Sequence, residues 1–202
     1  MKAAKKTKNK KVVASSTTQA KKKGVRWYDY ALGIPYALAI LLAAFFIVFF
    51  VAAMLPHGGE NVEQHRNIMG YLTIPLFEPN VIDFLEPDEF AHMQDVKKVF
   101  NWTFITLLFF AGISMIFPSR VAKRTSAGII GGVAVITLLS TLISARGTWT
   151  FFHQIFFPQG GWVFPPESTL ITLYPGNYFA TFALAVFGVA IVITGLLNWH
   201  HK

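Results

Sequence analysis

Cysteine is absent from all 202 residues, which excludes disulfides, thiolate metal sites and an enzyme cysteine as nucleophile. Charge is also scarce. Charged residues make up 14% of the chain against 53% hydrophobic, a balance that points to an integral membrane protein rather than a water-soluble domain. Acids are missing from Met1 to Arg26, where nine lysines and one arginine stand among Ser, Thr, Asn and Gln. Lysine and arginine are missing from Phe151 to Phe179, which holds a single acid, Glu167. No internal repeat is visible, and the apolar runs carry no clear charge, so a transporter has little support.

What is present sorts into four membrane spans. They are read at about residues 31–55, 100–117, 127–145 and 178–197, each near the length needed to cross a ~30 Å hydrocarbon core. Pro35 falls in the first turns of the first span, where proline costs least. Gly128, Gly131 and Gly132 near the start of the third are expected to permit close helix packing. The run after the lysine tail is too long for a signal-peptide core, and no small-residue cleavage site closes it. The reading is therefore a disordered lysine-rich tail, 1–29, and one all-α membrane domain, 30–202.

Basic residues give the orientation. With the N-terminus in the cytoplasm, the inner segments hold 14 Lys/Arg and the outer segments 4, so both termini are expected inside. The tail reads as a topology signal that also touches anionic lipid; it has no folded element to read nucleic acid. The outer segments, 56–99 and 146–177, are long for loops without a role, so function is expected on the outer face. The run from Phe151 to Phe179, FFHQIFFPQGGWVFPPESTLITLYPGNYF, which makes up most of the second, is too apolar for solvent and too rich in Pro and Gly for one helix. It suits an aromatic cap of interfacial or re-entrant segments.

Two histidines stand out there. LEPDEFAHMQDVKKVF starts a helix at Pro87 and Asp88 and is read as lying along the interface before the second span. His92 is three residues from both Glu89 and Asp95, either of which can orient an imidazole and raise its basicity. His153 lies within about two turns of the third span. Two histidines at one membrane level can serve as general base and general acid for a proton or acyl transfer. The blander readings are a solvated helix face for His92 and an interfacial ring satisfied by backbone for His153.

Around them, Arg146 can meet an oxyanion or simply reach head groups. Trp149, Trp162 and Tyr174 read as belt anchors or walls of an acyl groove, and Asn67 and Tyr71 as packing or polar contacts near the site. Ser168 lacks the setting of a hydrolase nucleophile. His57, His65, His92 and His153, with Glu60 or Glu63, raise a metal site, but HGGENVEQH does not match H-E-x-x-H, and no metal is assigned. His200 and His201 read as a solvated tail.

EFAHMQDVKKVF, FFHQIFFPQGGWVFPP, STLITLYPGNYF and RNIMGYL, with the number and spacing of the spans, resemble the lipoprotein intramolecular transacylase (Lit) family of bacterial four-helix membrane proteins. The likeness covers roughly Tyr30 to Leu197. It implies an outer-leaflet enzyme that moves the sn-2 acyl chain of a diacylglyceryl lipoprotein to its N-terminal cysteine amine, giving the lyso-form. It implies His92 and His153 as the functional histidines. The nucleophile belongs to the substrate and no cofactor is called for. Asp95, Glu89, Arg146, Trp162, Asn67 and Tyr71 remain candidates for orientation or substrate binding. The competing reading is a non-catalytic membrane protein that binds lipid or a partner through the same cap.

Overall fold

The structure, a computed structural model, describes residues 26–55, 61–73 and 82–199. The lysine run of the tail, His57, Glu60, His200 and His201 lie outside the described residues. Among those described, all regular structure is helical. The helices are α1 (Trp27–Ala31), α2 (Gly33–Met54), α3 (Val62–Thr73), α4 (Pro87–Ile116), α5 (Arg120–Ile143), α6 (Ala145–Phe156), α7 (Thr169–Leu173) and α8 (Gly176–Trp199). Four stretches are long and apolar enough to cross a membrane: Trp27–Met54, Pro87–Ile116, Arg120–Ile143 and Gly176–Trp199.

Three sequence expectations are corrected. The third span does not wait for its apolar part. Ser119 caps the helix, its Oγ accepting the Ala122 N–H at 3.3 Å, so two polar turns precede residue 127. The segment around His92 is not a separate interfacial helix: α4 is a single helix of 30 residues. Nothing between Asp88 and Ala111 is glycine or proline, so nothing interrupts it. At about 1.5 Å per residue it outruns a ~30 Å core. Its charges all fall before Val99, leaving 99–116 as the spanning part and the turns around His92 outside it.

The third correction concerns glycine. A Cβ at Gly128, Gly131 or Gly132 would meet nothing within 4 Å, so these glycines do not mediate close packing. Gly128 and Gly132 are exposed and Gly131 is half-buried, and the close approach is made by a different glycine. A Cβ on Gly33 would stand 2.6 Å from Thr125 Cγ2, so only glycine lets the starts of α2 and α5 meet.

Helix α2 runs through the middle, touching α4, α5 and α8. Small and branched residues make that contact: Ala37, Ile40 and Ala44 pack with Ile130 and Ala190. Phe46 and Phe49 interlock with Phe100 on α4. Leu108, Met115, Leu142 and Ile143 point outward and are exposed, an apolar rim of the kind a membrane-spanning bundle presents. The starts of α2 and α5 sit together at one end, where Ser119 Oγ also donates to Asp29 at 3.3 Å. The opposite end holds a second core, in which Phe49, Ile68, Leu72, Met93 and Leu173 draw together α2, α3, α4 and α7.

Candidate active site

Helix α4 is anchored before it presents His92. Glu89 is buried, and its two carboxylate oxygens accept the Glu86 N–H at 3.1 Å and the Leu170 N–H at 2.9 Å. The first bond closes the helix N-terminus and the second ties it to the start of α7. His92 follows one turn later, half-buried between the rings of Phe157 (4.9 Å) and Phe164 (5.6 Å).

His153 arrives from the other side. Ser144 is extended and ends α5, and its Oγ accepts the Gly147 N–H at 3.0 Å to begin α6. In the last turn of α6 the His153 ring is 5% exposed, with Trp149 at 4.0 Å and Trp162 at 4.8 Å. Gly160 and Gly161, with φ of 84° and 76°, make the turn that returns Trp162 to this ring. His153 Nδ1 donates to the Trp149 carbonyl at 2.9 Å. A carbonyl only accepts, so the proton sits on Nδ1 and the lone pair of the neutral ring on Nε2.

The two imidazoles stand with centroids 6.3 Å apart and planes inclined by 27°. Burial pushes the His92 pKa down to about 4; repulsion from His153 adds to this, and the Asp95 charge opposes it. Burial also lowers the His153 pKa, partly offset by the bond to Trp149. Both rings are therefore neutral at pH 7. The arrangement offers one free imidazole lone pair and a second neutral ring within reach of one small polar group, flanked by aromatic rings. Among the described residues no three His, Asp or Glu side chains converge as a metal-binding group.

A family profile described as "Lipoprotein intramolecular transacylase Lit" matches residues 58–179, more than half of the chain. The chain belongs to the Lit family. Its fold is similar to that of the Lit transacylase of Bacillus cereus, with a TM-score of 0.60 at 14% identity, over 86% of this chain and 93% of that one. A histidine-to-arginine variant of the same Bacillus cereus protein gives a TM-score of 0.57 at 13% identity, over 86% and 91%. No curated protein sequence matches. As a Lit-family transacylase the chain is an enzyme, and the non-catalytic scaffold reading gives way.

The remaining candidates of this Lit-family protein divide. Trp162 is at the histidine pair. Neither carboxylate bonds to His92: Glu89 is the backbone staple above, and Asp95 accepts from Lys98 Nζ at 2.8 Å and Gln159 Nε2 at 2.9 Å. Those two bonds hold the Asp95 carboxyl below its usual range, Lys98 most strongly. Asp95 thus ties α4 to the loop after α6 and reaches His92 through charge alone. Arg146 is exposed in the first turn of α6. Tyr71 is a core residue with the Lys97 ammonium 4.1 Å above its ring, and Asn67 is half-buried on α3. Ser168 caps α7 by accepting the Ile171 N–H at 3.3 Å.

Tyr174 is not an exposed belt anchor, and Trp149 has a further role beside His153. Trp149 is half-buried and backs His153; Tyr174 is buried, and its hydroxyl meets His65 Nδ1 at 3.0 Å. Burial raises the Tyr174 pKa well above the usual phenol range. His65 Nε2 donates to the Ala52 carbonyl at 3.4 Å, so its Nδ1 accepts from Tyr174. This bond joins α3, the end of α2 and the turn before α8. It was missed although a signal existed: His65, Ile68, Met69 and Leu72 follow the spacing of one buried helix face.

Proposed function

We propose that this protein moves the sn-2 acyl chain of a diacylglyceryl-modified lipoprotein to the amine of its N-terminal cysteine, with His92 and His153 as the catalytic pair. The observation that carries this reading is the 6.3 Å approach of the two rings with the His153 Nε2 lone pair unengaged by the Trp149 bond. The free amine attacks the ester carbonyl while His153 Nε2 takes a proton from it. His92, kept neutral, has one ring N–H to offer to the ester oxygen as charge develops. Collapse breaks the bond between the acyl carbon and the sn-2 oxygen, and the proton held on His153 passes to that oxygen. An amide and an alcohol result, with no net gain or loss of protons and no cofactor. Both reacting groups belong to one lipid, so the protein orients them and moves one proton.

The pair acts at the outer leaflet under an aromatic cap of Trp149, Phe157, Trp162 and Phe164. The support for that side is the charge pattern: the segments at the other end of the spans carry most of the Lys and Arg, which favours a cytoplasmic side for them and for both termini. Membrane lipids surround the spans, and the Lys-rich tail adds attraction to anionic lipid.

The test is mass spectrometry of the N-terminal lipopeptide of a reporter diacyl lipoprotein, co-expressed with this protein in cells lacking other lipoprotein N-acylation. The wild type is expected to give an N-acyl, S-monoacylglyceryl peptide, and His92→Ala and His153→Ala an unchanged diacylglyceryl peptide. Product formation by both variants at the wild-type level would overturn the assignment.

A further inference from the structure

A groove of about 500 Å³ opens between α5 and α8, at the end of the spans away from the histidine pair. Arg120, Arg124 and Asn198 line it, with the small residues Ala127, Gly131 and Gly195. On α5 these residues recur at spacings of four, three and four, so they share one helix face. The groove exists because side chains are lacking on that face. A Cβ at Gly131 or Gly195 would meet nothing within 4 Å, whereas Ile130 and Ala190 beneath are sealed. The helices touch at the floor and part above it.

Its chemistry is divided along its length. Neither guanidinium has an ion pair or hydrogen bond among the described residues, and no carboxylate lines the groove. Further along, the Thr194 hydroxyl is engaged by the Ala190 carbonyl at 2.7 Å, so the wall there has no free donor. From Arg120 to Gly131 the face extends roughly 16 Å at 1.5 Å per residue, longer than an inorganic anion fills. Guanidinium forks match phosphate oxygens, and a channel of small residues matches a hydrocarbon chain.

We propose that this groove binds one anionic phospholipid of the surrounding leaflet. Its phosphate lies between Arg120 and Arg124, and one acyl chain lies against Ala127, Gly131 and Gly195. The site is separate from the reaction centre and does not depend on the transacylase mechanism. It also differs from the diffuse attraction of the lysine tail, because it holds a single lipid in a fixed place.

Native mass spectrometry of the full chain in detergent tests this, with titration by phosphatidylglycerol or phosphatidylcholine of the same acyl chains. One phosphatidylglycerol is expected to bind at clearly lower concentration than phosphatidylcholine. A basic side chain at an anionic surface is worth about fivefold in affinity, so Arg120→Gln with Arg124→Gln should weaken binding on the order of twentyfold. Gly131→Leu with Gly195→Leu keeps both cations and fills the channel, and should also lose the lipid. The single changes Arg124→Gln and Gly131→Leu carry the test if a double variant fails to elute as a folded species. Equal binding of the two lipids, or unchanged binding in either set of variants, would overturn the proposal. So would displacement of the lipid by glycerol phosphate at similar concentration, which would mean that only the cationic mouth binds.

Discussion

Replacing Glu89 by alanine separates two roles for its carboxylate: stapling backbone amides, or orienting His92. Its oxygens accept from Leu170 N at 2.9 Å and Glu86 N at 3.1 Å. A hydrogen bond to a carboxylate is worth about 1.5–3 kcal/mol, and a buried donor left without a partner is costly. The Leu170 amide is buried and has no water to turn to, while Glu86 is exposed and its amide recovers part of its loss. The expected local cost is about 3 kcal/mol, or on the order of 100-fold faster exchange at Leu170. Glu89→Gln keeps one acceptor for Leu170 but sets an amide donor against Glu86, and should fall between, near tenfold. Hydrogen exchange of the 165–175 peptide in micelles, read by mass spectrometry, gives the number directly, with α5 and α8 as internal controls. Unchanged protection together with lost transacylation would refute the staple and return Glu89 to His92.

Three further outcomes follow from the site. His92 titrates at about 4 when folded and ~6.5 when unfolded, so the unfolded chain takes up the proton first as pH falls. That contribution to stability is whole above pH 6.5 and declines towards pH 4. Thermal unfolding against pH should show the decline shrink in His92→Gln, and Asp95→Asn should move the His92 NMR midpoint lower still; a midpoint near 6.5 would contradict the burial argument. Tyr174→Phe removes the hydroxyl that meets His65 and should destabilise the α3 end by about 1–2 kcal/mol, read as faster exchange in residues 62–73. Gly161→Ala forces a side chain onto a φ of 76° and should cost about 1 kcal/mol, and displace Trp162, read by its fluorescence. Wild-type emission from Gly161→Ala would show that the turn does not hold the indole.

The spans were legible because a bilayer demands long apolar runs, and such runs survive in composition alone. Their polar starts were less so: the two turns before residue 127 are helical through Ser119, a cap that hydropathy does not register. The two histidines stood out by their place at one membrane level, but family likeness was needed to pair them, because no spacing rule joins α4 to α6. Contacts between distant segments were illegible. Leu170 is 81 positions from Glu89 and Tyr174 is 109 from His65, so three-residue neighbours suggested the wrong partner for Glu89. The glycines of α5 misled for a related reason. Their spacing marks a smooth helix face, and only the packed bundle decides whether another helix or open space lies against it.

The two imidazoles ride on supports of unequal stiffness. His92 belongs to the same unbroken rod that crosses the membrane, whereas His153 stands on a helix of 12 residues, hinged to α5 through the one extended residue Ser144. A rod without a joint transmits its tilt along its whole length, and tilt is how a helix answers a bilayer thicker or thinner than itself. His92 therefore tilts with the spanning helix, and the Asp95–Gln159 bond at 2.9 Å couples that tilt to the loop after α6.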